Sequence, residues 1–244
     1  LKEEQVKKLT IIAFAAVAGA SQAVVLHNNG PFITNPTGGA GGLAISELTA
    51  PRSIFGYGMQ QTASNAVADD FTTDNAWLVQ GFTLYSYQTG ATGFTFTNVA
   101  WQIMQGNVNT GTMVASGSGA PGNGGFQAYR VLNTGTTATN RPIFGLEMTG
   151  LNVQLAANTS YWLRWSVAGT VASGPWQPPV TPRGNVNNAH QFTTVNGSFL
   201  PIVDPGDQLG DELPFLLHGV VPEPASILAL SAGIAAIVAR RRRK

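Results

Sequence analysis

Three aspartates and a glutamate fall within nine residues, at Asp204, Asp207, Asp211 and Glu212, in a segment that also holds Pro205, Gly206 and Gly210. Carboxylate oxygens gathered on a glycine-containing turn are the hard donors that calcium takes. Asp204, Asp207 and Asp211 are therefore candidate calcium ligands. Their spacing lacks the alternating acids and closing glutamate of an EF-hand, and the competing reading is a loop whose aspartates cap its own backbone. Asp69, Asp70 and Asp74 form a weaker case of the same kind, with Asp74-Asn75 suited to a turn before Trp77. Two tryptophans form the second constellation. Trp176 sits between prolines in Gly174-Pro175-Trp176-Gln177-Pro178-Pro179, and Trp162 lies beside Arg164 on the strand face opposite Tyr161 and Trp165. Exposed indoles stack on the CH faces of sugars, so Trp162 and Trp176 are candidate glycan-binding residues; the alternative is packing under a loop or along a sheet edge.

Catalytic sets are harder to find. Gly117-Ser118-Gly119 lies in a glycine-rich turn region and not between a strand and a helix, as a nucleophile elbow requires. Nothing in the spacing of the carboxylates sets a pair for glycoside hydrolysis. His27, His190 and His218 are scattered with no helical pair, and with no cysteine at all the chain has no disulfides, thiolate metal sites or cysteine nucleophile. The expectation is a non-enzyme without a required cofactor, calcium being the one candidate; a secreted polysaccharide or ester hydrolase is the lesser alternative.

The elements that would position these residues read as β throughout. Tyr161, Leu163, Trp165 and Val167 alternate with Trp162, Arg164 and Ser166, and Val99, Trp101 and Ile103 repeat the pattern. Strands are expected near 53–57, 66–72, 77–87, 94–105, 112–117, 126–132, 143–155, 160–168, 189–195 and 213–219, separated by the punctuation that 29 glycines and 14 prolines supply. No sustained 3.6-residue period occurs between the termini. Many short strands without helices predict an all-β, antiparallel two-sheet sandwich, jelly-roll-like, over residues 51–220, with a closed barrel as the second choice. Residues 24–50, with Gly38-Gly39-Ala40-Gly41-Gly42, read as a flexible leader.

Charge is sorted to the ends. The chain holds 13 Lys and Arg against 12 Asp and Glu. Between residues 24 and 220, however, five arginines meet nine carboxylates and no lysine occurs. A body of net charge −4 with sparse cations excludes a nucleic-acid partner, which needs clustered Lys and Arg. At the N-terminus Lys7 and Lys8 precede an apolar run at residues 9–18 and then small residues. That order predicts a signal helix within residues 1–23, with Ser21 and Ala23 at the −3 and −1 positions of a signal peptidase site; cleavage after Ala20 is the close competitor. At the C-terminus Pro222-Glu223-Pro224 precedes fifteen uncharged residues, 225–239, and then Arg240, Arg241, Arg242, Arg243 and Lys244. Fifteen helical residues span about 22 Å, short of a bilayer core of about 30 Å. The expectation is a weak, transient transmembrane helix with the cationic end as its cytoplasmic stop and the body outside.

Pro222-Glu223-Pro224, the short span and the terminal arginine cluster, in that order over residues 221–244, resemble the PEP-CTERM sorting signal of Gram-negative bacteria. The resemblance implies recognition by a membrane-embedded exosortase. It also implies transient anchorage in the inner membrane with the body in the periplasm, and final residence on the cell surface or in an extracellular matrix, often beside exopolysaccharide. The expected role of the body is structural or adhesive, with a carbohydrate-binding module as the alternative.

Overall fold

The computed structural model describes residues 23–184 and 186–222. The signal helix, the residues 223–244 that hold most of the sorting signal, and the expected membrane span lie outside the described residues. Among the described residues no helix is long and apolar enough to cross a membrane.

Two six-stranded sheets face each other. The first runs, edge to edge, β1 (Val24–Asn28), β14 (Phe215–Val220), β5 (Trp77–Ser86), β9 (Pro142–Leu155), β8 (Gly122–Leu132) and β2 (Ile45–Leu48). The second runs β13 (Phe199–Pro201), β12 (His190–Phe192), β4 (Ala66–Thr73), β10 (Thr159–Gly169), β6 (Phe96–Gln105) and β7 (Thr112–Gly119). A small ladder joins β3 (Tyr57–Gly58) to β11 (Trp176–Gln177). Two 3-10 turns, at Ala40–Gly42 and Gln61–Ala63, are the helical elements of the body. The expected all-β sandwich is present, with one difference. β2 runs parallel to β8, so the first sheet is mixed. Otherwise the strand order β1-β14-β5-β9 in one sheet and β4-β10-β6-β7 in the other is the nested order of a jelly roll, with β8 and β2 added to the edge of the first and β12 and β13 to the edge of the second.

Alternation explains the core. On β10, Tyr161, Leu163, Trp165 and Val167 are buried while Trp162, Arg164 and Ser166 are half-buried on the other face. Their buried side chains meet Phe82, Leu84 and Leu146 of the first sheet in one hydrophobic cluster, with Phe82 edge-on to Trp101 at 5.6 Å. Each fully buried large apolar side chain contributes roughly 1.5–3 kcal/mol relative to exposure.

Residues 24–50 are not a flexible leader. β1 pairs with β14 from Val24 opposite Gly219 to Asn28 opposite Leu216. Asn29 donates its side-chain amide to Asp69 (2.8 Å) and to the Leu213 carbonyl (3.0 Å). Phe32 is buried against Tyr85. β2 is fastened by Arg130, which is fully buried and donates to Ser46 Oγ (3.1 Å) and to the carbonyls of Glu47 (3.0 Å), Ile54 (3.2 Å) and Phe55 (2.8 Å). Four- and five-residue strands are too short to display alternation, and their partners lie far away in sequence. Arg130 also explains why 53–57 is largely irregular: its backbone carbonyls serve the guanidinium and not a long ladder.

Candidate functional site

The acidic segment is a tight turn tied into the body. Asp204 accepts hydrogen bonds from the backbone N–H of Ser53 (3.0 Å), Ile54 (3.1 Å) and Gly206 (2.7 Å), and from Ser53 Oγ (3.0 Å). Burial alone would raise the Asp204 carboxyl, but these donors outweigh it and hold it below the usual carboxylate range. Asp211 is fully buried. It receives Arg52 Nη2 at 2.7 Å, Arg183 Nη2 at 3.1 Å and the Tyr57 hydroxyl at 2.5 Å. Desolvation, and then the Asp211 charge, push the Tyr57 phenol far up, so it is a donor at every working pH. Asp207 pairs with Arg183 at 2.9 Å. The oxygens of the three aspartates thus already hold N–H, hydroxyl and guanidinium donors. Among the described residues no three His, Asp or Glu side chains converge as metal ligands do. Asp74 caps its turn through Asn75 N (2.8 Å) and Trp77 Nε1 (3.1 Å), in the place its sequence suggested.

The two tryptophans stand apart. Trp176, half-buried on β11, lines an open recess of about 600 Å³ with Gln60, Asn65 and Ser173. Trp162 packs edge-on against His190 at 4.9 Å and lies over Ala68. They do not form one platform.

A larger feature lies on the outer face of the second sheet, an open groove of about 640 Å³. Its floor follows from strand register. One rung across the sheet is Ala68, Arg164, Gln102 and Ser116, and the next is Ser166, Ala100 and Ser118. Small and hydroxylic side chains keep the floor low. Gly117 has a packing reason: a Cβ there would come 2.9 Å from the Trp101 ring. Phe192 and Phe199 form a wall, their rings 5.6 Å apart, and Arg164 lies over Phe199 at 4.8 Å. The wall is fixed, because Asn109 clamps the Phe199 backbone through both its amide nitrogen and its amide oxygen (2.9 Å each). Gln61 is likewise held, donating to the Ser166 carbonyl (3.1 Å) and accepting from Asn98 (3.1 Å).

Arg164 is the one charged residue lining this groove among the described residues. It donates through Nη1 to Gln102 Oε1 (2.9 Å) and through Nη2 to the Val108 carbonyl. The ion pairs of the described residues are Arg52–Asp211, Arg183–Asp207 and Arg183–Asp211, so Arg164 has no carboxylate partner there. Burial lowers its pKa, but a guanidinium remains protonated. Sequence reasoning placed Arg164 beside Trp162 but missed the groove. Alternation at Val99, Trp101 and Ile103 does imply that Gln102 faces outward; nothing local marked Phe192 and Phe199, which line the groove with Arg164 only because β12 and β13 join this sheet.

One hydroxyl–imidazole pair occurs on the first sheet's outer face, Thr83 Oγ1 to His218 Nε2 at 2.9 Å, in a shallow hollow that Glu147 also lines. No hydrogen bond joins Glu147 to His218 among the described residues, although the Glu147 charge acts on the imidazole.

The body is thus a two-sheet β-sandwich whose last strand runs into the chain's tail. Residues 220–244 match the PEP-CTERM protein-sorting motif, starting at the last residue of β14. That motif implies an exported protein recognised by an exosortase and processed at the membrane. The chain has no match among curated proteins.

Proposed function

We propose that the chain is a surface or extracellular-matrix protein, released or transferred after exosortase processing, whose sandwich has a non-catalytic structural or adhesive role linked to exopolysaccharide. The observation that carries this reading is the junction. β14 is paired on both sides, by β1 and β5, up to the point where the matched motif begins. The folded cargo therefore ends at Val220, with only Val221 and Pro222, both exposed, between it and Glu223. Val24, the first residue after the expected signal peptidase site, pairs with Gly219, so the two ends of the folded body lie side by side. Glu223→Ala tests the sorting step in a host that has an exosortase: the body stays membrane-bound and uncut on an immunoblot. Deletion of residues 240–244 instead weakens retention. Wild-type processing of Glu223→Ala would leave the tail as a mere anchor. N-terminal sequencing of the exported protein reads the other end, with Val24 expected first. The carbohydrate-binding alternative is favoured by one observation, the outer-face groove with its aromatic wall and hydroxylic floor.

A further inference from the structure

We propose that the outer-face groove of the second sheet is a binding site for an acidic polysaccharide, with Arg164 receiving a uronic-acid carboxylate. This rests on the reading that the body meets polysaccharide outside the cell, and it names the class of chain bound. Three observations converge. Arg164 has no carboxylate partner among the described residues, although acids outnumber arginines in the body. Each of its Nη atoms makes one bond within the protein and carries a second hydrogen, which leaves donors for an incoming carboxylate. The surroundings suit a sugar: half-buried Phe192, backed by the buried Phe199, offers an apolar surface to ring CH groups, while Ser116, Ser118 and Gln102 offer partners to hydroxyls. The floor strands β6 and β7 carry no charged residue, so nothing on them repels an anion or competes for Arg164. Asn109 and Gln61 hold the rims in place, and a preformed groove loses less ordering entropy on binding.

The test uses the full-length protein in non-ionic detergent. It is titrated calorimetrically with a panel of uronic-acid oligosaccharides and with the carboxyl-reduced form of each, matched in length. The acidic forms bind and the reduced forms bind roughly tenfold or more weakly, as the loss of a charge-assisted hydrogen bond requires. Added salt weakens the acidic forms selectively. Arg164→Gln removes the preference for acid. Ser116→Glu, at an exposed position on the floor, removes it as well without touching Arg164, and so decides the matter if Arg164→Gln fails to fold. Equal binding of both forms, unchanged by these variants, overturns the charge selection and leaves the polysaccharide reading standing. Binding of neither form removes the polysaccharide reading together with the site.

Discussion

Arg130 and Arg164 lie in opposite sheets and are both hydrogen-bonded to neutral groups, yet they do different work. Arg130 is sealed between β8, β2 and the 53–55 segment, and four hydrogen bonds to carbonyls and a hydroxyl occupy its fork. Desolvation lowers its pKa to about 10, and it still carries its proton at neutral pH. Arg164 makes two such bonds and looks onto an open groove. A fully buried cation with four of its five donors engaged, three of them by backbone carbonyls, holds the fold together. A half-buried cation with donors to spare is free to recognise something else. The difference lies in what the neighbouring strands present, since the two side chains are chemically identical.

That contrast breaks most directly on stability. Arg130→Met strands three backbone carbonyls and should cost about 4 kcal/mol or more, whereas Arg164→Met should cost about 1 kcal/mol. Urea unfolding followed by tryptophan fluorescence measures both, and a reversed order would mean that Arg164 is the structural clamp. Arg52 and Arg183 are a third case, paired with buried Asp211. Asp211→Ala leaves two cations facing each other and Tyr57 without its acceptor, at a cost of about 3 kcal/mol in the same assay.

A smaller effect sharpens the comparison through pH. The Asp204 carboxyl is held below its usual range in the folded state, so its contribution is full above the unfolded value near pH ~4 and is lost as pH falls through the folded value. The stability difference between wild type and Asp204→Asn should therefore shrink on acidification below that point and stay flat above it. A difference that grows on acidification would contradict the hydrogen-bond assignment. The smallest expected effect is that of calcium. Because the aspartates of the 204–212 turn already hold donors, millimolar calcium should leave the melting temperature unmoved. A rise that disappears in Asp207→Ala with Asp211→Ala would restore the turn as a calcium site.

Local pattern alone determined a good deal of this protein. The alternation at Tyr161, Leu163, Trp165 and Val167 is set by the two-residue period of a strand, which needs no partner to be visible. The sorting motif was legible for a similar reason: Pro222-Glu223-Pro224, the apolar run and the arginines are contiguous, and a membrane reads them in order. What joins distant segments only the tertiary structure decided. Val24 pairs with Gly219, Ile45 lies beside Tyr129, and the carboxylates of the 204–212 turn serve Ser53, Arg52 and Tyr57. The groove has the same origin. Phe199, Gln102 and Arg164 are far apart along the chain and meet because sheet register places them side by side. Hydrogen-bond partners and neighbouring faces are properties of strand order, which no single strand's sequence encodes.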